Sequence, residues 1–167
     1  MEPTQKTRGS SLSRYAHLNK HMLEVFEFAA ILSCALFAGA ALYINVAEHP
    51  ARMQCGTELA ATVFGPSYKR AAVMQVALAL VAAISAMASW SINGSLLWII
   101  GALLIFAVIP FTLIAILPTN KQLLAPTLDR RSAHTHTLLI RWGQLHGVRT
   151  VASLAATLIF LVAALSA

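Results

Sequence analysis

Charge is what this chain has least of. Only 11% of its 167 residues are Asp, Glu, Lys or Arg, against about 25% in an ordinary soluble domain. Apolar side chains fill the deficit, at 58% of the total. Acidic residues are the scarcest, 6 against 12 Lys and Arg, and in a membrane protein that excess reports orientation and contact with anionic lipid. There is no Gly-rich phosphate loop, no Gly-x-Ser-x-Gly elbow and no Cys-x-x-Cys. Nucleotide-dependent, serine-hydrolase and thioredoxin-like readings therefore have no support. The basic residues are not interleaved with aromatics, so no nucleic-acid partner is expected. Cysteine is limited to Cys34, inside an apolar run, and Cys55, in a polar connection, and no bridge between them is expected. No internal repeat stands out.

What is there instead is four apolar runs, each near the 20 or so residues that a helix needs to cross the hydrocarbon core. They cover residues 23–46, 71–90, 95–117 and 148–167. The expected fold is an all-α membrane protein: a four-transmembrane-helix bundle with a polar connection helix before the last span. Residues 1–20 are expected to form a flexible basic tail that turns helical near Leu18, and residues 21–167 a single domain. The basic start and Ala38-Gly39-Ala40 mimic a secretory signal. The apolar run continues past that point and Glu24 and Glu27 precede it, so the segment reads as a retained span.

Pro50 and Gly65-Pro66 punctuate a polar connection over 47–70, and Ser91-Ile92-Asn93-Gly94 reads as a tight turn. Trp90 and Trp98 flank that turn, a placement suited to indoles at the membrane interface. Pro110 is expected to kink the third span. Ser132 is a candidate cap for a helix that runs through the connection over 121–147 into the fourth span. Four spans put the termini and the tight turn on one side and both long connections on the other. Eight basic residues on the connection side, against Lys6, Arg8, Arg14 and Lys20 on the other, favour connections that face the cytoplasm. The expected location is the plasma (bacterial inner) membrane, multi-pass, with membrane lipid as a partner.

Chemistry is expected where polar residues enter these apolar helices. Trp142, His146 and Arg149 are spaced i, i+4, i+7 and share one helix face, which Ser153 and Phe160 continue. A histidine and an arginine there need partners, because burying either alone costs several kcal/mol. The plainer reading has Arg149 snorkelling and Trp142 anchoring at the interface. On the first helix Glu27, Cys34, Ala38, Asn45 and His49 fall within about 40° of one another, with Asn45, Glu48 and His49 at the rim. Tyr68, Arg70 and Gln75 stand at the start of the second span, Gln75 nearer the core. Asn120 follows the third span, where an Asn commonly satisfies orphan carbonyls. His17 and His21 have metal-ligand spacing, but lie on the opposite side from the rest. His134 and His136 cannot face one point on a helix.

The order of Asn45-Val-Ala-Glu-His49-Pro50-Ala-Arg52, Pro118-Thr-Asn120 and Trp142-x-x-x-His146-x-x-Arg149-Thr150 between the spans resembles the anthrone oxygenase-like family of small integral membrane proteins, and in particular its bacterial branch, a domain of unknown function. The resemblance covers roughly residues 25–165. It implies a four-helix membrane protein and, from fungal members, oxidation of an anthrone to an anthraquinone by molecular oxygen without flavin or haem. It further implies a site holding His49, Asn120, Trp142, His146 and Arg149. The expected activity is therefore oxidation of a lipophilic aromatic or quinone-type ligand. His146 would be the base, Arg149 and Asn120 the oxyanion stabilisers, and Trp142, Asn45, Tyr68 and Arg70 the substrate contacts. His49 would be a second base or, with Glu48 and His146, a metal ligand. The competing reading is a non-enzymatic bundle that binds lipid or accompanies a larger membrane complex, with His146, Arg149 and Asn120 as a polar clamp on helix register.

Overall fold

The computed structural model describes residues 4–166, with side chains from Ala16 onward. Among the described residues every regular element is helical. The first helix, α1 (Thr4–Tyr43), passes through a π-helical turn (Ile44–Glu48) into α2 (His49–Gln54). After Cys55 and Gly56 comes α3 (Thr57–Asn93), and after Gly94 and Ser95 comes α4 (Leu96–Phe111). A second π-helical turn (Thr112–Ile116) leads into α5 (Leu117–Leu123), and α6 (Ala133–Leu165) completes the chain. Four continuous helical stretches of 39, 37, 28 and 33 residues are long and apolar enough to cross a membrane. The protein is a multi-pass membrane protein with the four-helix bundle expected of it.

The helices pack in the cyclic order α1, α3, α4, α6. Their shared core is built on small residues, with Ala30, Ala41, Ala79, Ala82, Ala86 and Ala156 all buried, which lets backbones approach closely where lipid supplies no hydrophobic drive. Large apolar side chains such as Phe28, Val73, Ile84, Leu103, Ile114 and Leu158 point outward, an inversion natural to a surface bathed in lipid. Both long connections lie at one end: Arg131 of the second donates two hydrogen bonds to Glu58 of the first, at 2.8 and 3.0 Å. At the other end Asn93, beside the tight turn, donates to Glu27 near the start of the first span at 3.3 Å. Glu24 lies 3.5 Å from His21.

Several boundaries differ from those expected. The backbone is helical from Thr4, well before Leu18, while the side chains of Lys6, Arg8 and Arg14 lie outside the described residues. Most of 47–70 is helix rather than loop, and Gly65-Pro66 sits inside α3. Pro66 is exposed, so the Thr62 carbonyl that loses its donor can turn to water or headgroups. The break falls instead at Gly56, whose φ of +96° suits a residue without Cβ. The tight turn is shorter than expected, because α3 persists to Asn93 and Gly94 ends it at φ +73°. Trp98 is no interface anchor: it is fully buried and stacks on Phe160, ring centres 5.4 Å apart. Ser132 caps α6 as expected, accepting from the Thr135 amide at 3.2 Å.

Neither π-helical turn was legible in the sequence, yet both precede a proline by the same spacing, Pro50 after the first and Pro118 after the second. A proline ring clashes with the carbonyl four residues back, and a widened turn just upstream removes that clash. Such turns often mark functional sites. Here Ile44 from one and Thr112 and Leu113 from the other line the same cavity.

Candidate functional site

The cavity lies towards the connection end and measures about 130 Å³, well above the ~10–15 Å³ that a single water requires. Phe37 and Ile44 of the first helix, Phe64, Ala71, Ala72, Val76 and Ala79 of α3, and Val108, Ile109 and Leu113 of the third span make it largely apolar. Besides Thr112 of the third span, its polar groups converge from three other helices. Arg149 and His146 come from α6, Gln75, Ser67 and Tyr68 from α3, and Arg52 from α2.

Asn45 sets the state of His146. Its amide nitrogen donates to the Gly143 carbonyl at 2.9 Å, and because a carbonyl only accepts, the amide oxygen must face the other way. That oxygen lies 2.6 Å from His146 Nδ1 and accepts from the Thr150 hydroxyl at 2.7 Å. The bond to His146 therefore requires an Nδ1–H donor, which leaves Nε2 of the neutral ring with a free lone pair. The Trp142 ring packs 4.9 Å from the imidazole. Phe64 meets Trp142 edge-on at 5.2 Å and stacks on Tyr68 at 5.7 Å.

Arg149 is buried with a single neutral acceptor. Its terminal nitrogen donates to Gln75 Oε1 at 2.7 Å, and its guanidinium lies 5.4 Å from the centre of the Phe37 ring. Among the described residues no carboxylate pairs with it. Glu48, the nearest acid in sequence to the rim, is committed elsewhere, 3.7 Å from Arg52 and accepting from Ser67 at 3.1 Å. Arg149 Nε, Gln75 Nε2, Trp142 Nε1 and Arg52 Nε are all buried without a partner. Every one is an N–H donor on a residue lining the cavity. Buried donors of this kind are costly when left unpaired, so the wall is complementary to a ligand that carries acceptor oxygens.

The sequence-derived site residues divide accordingly. His146, Arg149, Trp142 and Tyr68 come together around the cavity. Asn45 stands behind His146. His49 packs on Trp142, 5.3 Å ring to ring, and against Gly143, where a Cβ would come within 2.7 Å of its ring. It does not line the cavity. Asn120 is fully buried on α5 with both side-chain polar atoms unpartnered, and it does not line the cavity either. Arg70 is exposed on the outer face of α3. The metal set of His49, Glu48 and His146 does not assemble: among the described residues no three His, Cys, Asp or Glu side chains converge. Gln75 and Thr150, named in the sequence without a role in the site, join it. An amide inside the apolar run over 71–90 was the signal for Gln75, since polar groups at that depth face partners.

No curated protein and no solved structure matches the chain. A family model described as anthrone oxygenase matches residues 64–159, more than half of the chain. The match begins at Phe64 and so takes in the cavity faces of α3, the third span and α6, while Asn45, His49 and Arg52 lie outside it. By that match the chain belongs to the anthrone oxygenase family.

Proposed function

We propose that the protein oxidises a lipophilic aromatic ketone of the anthrone type with molecular oxygen, using His146 as base and Arg149 as oxyanion partner. The observation that carries this reading is that His146, with its Nδ1 held by Asn45, and Arg149, whose only hydrogen-bond partner among the described residues is the neutral Gln75, line one apolar cavity. Nε2 takes a proton from the acidic CH₂ opposite the ketone, and the electron pair left behind delocalises onto the ketone oxygen. That oxygen, now anionic, is met by Arg149 and the free Nε2–H of Gln75, donors already oriented and shielded from water. The carbanion passes its electrons to oxygen one at a time, and a C–O bond forms to give a hydroperoxide. Loss of the second C–H proton with cleavage of the O–O bond yields the new carbonyl and one water. The balance is R₂CH₂ + O₂ → R₂C=O + H₂O.

The excess of basic side chains around the two connections supports an orientation with the connections in the cytoplasm. The test is oxygen uptake by reconstituted protein supplied with anthrone, read against spontaneous oxidation in protein-free vesicles. Wild-type protein should accelerate uptake, with one anthraquinone formed per oxygen consumed. His146→Ala should lose about 10²–10⁴-fold of that acceleration, the range for a positioned general base. No acceleration by wild type, or wild-type rates from His146→Ala, would remove the reading.

A further inference from the structure

The cavity has one flank that no described residue closes. Val76 of α3 and Leu113 of the second π-helical turn line it, and both are also exposed at the bundle surface, by 44% and 58%. A residue that faces the cavity and the outside at once marks where the two meet. Val76 is six residues beyond Arg70, about 9 Å deeper along the helix axis, which puts this opening within the apolar part of the span. On α3 the neighbouring side chain is Ala72, too small to bridge the gap.

At the other approaches the lining residues are buried or only half-buried. At the connection end Arg52 and Ser67 are both tied to Glu48, and Phe64 stacks on Tyr68 and meets Trp142 edge-on. The seam between α1 and α6 is tied by the Asn45 bonds to Gly143, His146 and Thr150 and, deeper, by Thr157 donating to Cys34 at 3.3 Å.

We propose that the pocket is loaded sideways from the hydrocarbon, through a slot between α3 and the third span edged by Val76 and Leu113, so that its ligand is a molecule dissolved in the bilayer. This rests on the reading of the cavity as a ligand pocket. The slot is level with Gln75, the residue before Val76, so an acceptor oxygen passing through it meets the Gln75 amide and Arg149 first. A ligand with one oxygen-bearing edge and an otherwise apolar body suits this path. A water-soluble one would have to shed its hydration in the membrane before arriving.

A doorway alters how fast a ligand enters and leaves, while a binding contact alters chiefly how fast it leaves. Anthraquinone, carried in lipid vesicles and mixed rapidly with the reconstituted protein, should quench Trp142 on entering the pocket, and Trp142→Phe should remove that signal. Val76→Phe and Leu113→Phe should each slow association and dissociation together by at least tenfold. Val76→Ala should quicken both. Both residues face lipid, so a larger apolar side chain at either is accommodated outside the core, and the two variants check each other. Exchange at wild-type rates in both Phe variants would overturn the slot. So would faster exchange on opening the aqueous roof with Ser67→Ala. If anthraquinone fails to quench Trp142 in wild type, the ligand pocket itself falls and the slot with it. Binding through the slot without oxygen uptake on anthrone would leave the slot standing and remove only the oxygenase reading.

Discussion

Replacing Asn45 by Ala separates a base that is oriented from one that is merely present. The substitution removes the acceptor 2.6 Å from His146 Nδ1 and 2.7 Å from the Thr150 hydroxyl. Thr150 keeps a second acceptor, the His146 carbonyl at 3.3 Å, so the ring N–H is the donor left stranded. One buried unsatisfied donor costs about 1–3 kcal/mol, the expected loss of stability. The same bond, at a net ~1–1.5 kcal/mol, favours the Nδ1–H tautomer roughly five- to tenfold. Without it the Nε2 lone pair is present in a minority of molecules and the ring is free to turn, so turnover should fall by about tenfold. Asn45→Asp keeps an acceptor in place and should preserve the tautomer while losing the bond to Gly143. The decisive assay is ¹⁵N NMR of histidine-labelled protein, which distinguishes protonated from bare ring nitrogens without reference to any reaction. His146→Gln identifies the relevant pair among the six histidines. Wild-type His146 carrying its proton on Nε2 would refute the argument, as would a tautomer unchanged in Asn45→Ala.

Two further expectations concern the scaffold. A Cβ at Gly101 would clash with the Phe160 ring, which is pinned by Trp98, whereas one at Gly39 would meet nothing within 4 Å. Gly101→Ala should therefore cost about 1–3 kcal/mol of stability in thermal or denaturant unfolding, and Gly39→Ala should leave stability unchanged or raise it by up to ~1 kcal/mol; equal effects would contradict the packing. In protein freed of Cys34 and Cys55, cysteines placed at Thr57 and Thr127 should react alike with a membrane-impermeant thiol reagent, because Glu58 and Arg131 join the two connections. Opposite reactivity would dismantle the shared end.

The spans were legible because a run of apolar residues long enough to cross a membrane has few other solutions. The Ser132 cap was legible because the chemistry of helix starts is local. Helix continuity was not. Gly65-Pro66 reads as a break, and only the packing of Phe64 and the exposure of Pro66 explain why α3 runs through it. In the site, His146 and Arg149 stood out because such residues are costly in an apolar setting. Their partners could not be read from spacing, since Asn45 reaches His146 across 101 positions and Gln75 reaches Arg149 across 74. Asn120 was drawn towards the site by the family resemblance and Arg70 by its place at the start of the second span. The fold turns Arg70 outward and sets Asn120 on α5 away from the cavity.

Arg149 offers the sharpest division between a working pocket and a structural clamp. A clamp would hold helix register through its bond to Gln75, and the bundle would lose stability without it. A pocket would tolerate the guanidinium at a cost, because a buried charge without a counter-ion is unfavourable and its Nε is unpartnered besides. Arg149→Met alone is ambiguous, since it strands Gln75 Oε1 at about 1–3 kcal/mol. Arg149→Met with Gln75→Leu removes both polar partners and keeps the volume nearly constant. Replacing buried charged groups by apolar ones of similar size is commonly neutral or stabilising by about 1–4 kcal/mol, so the double variant should unfold at the wild-type temperature or above it. It should also lose anthraquinone binding and oxygen uptake, because the donors meant for the ligand's oxygen are gone. Stability gained with function lost is the signature of a group kept for chemistry. A double variant that unfolds several degrees below wild type would show Arg149 and Gln75 to be the clamp.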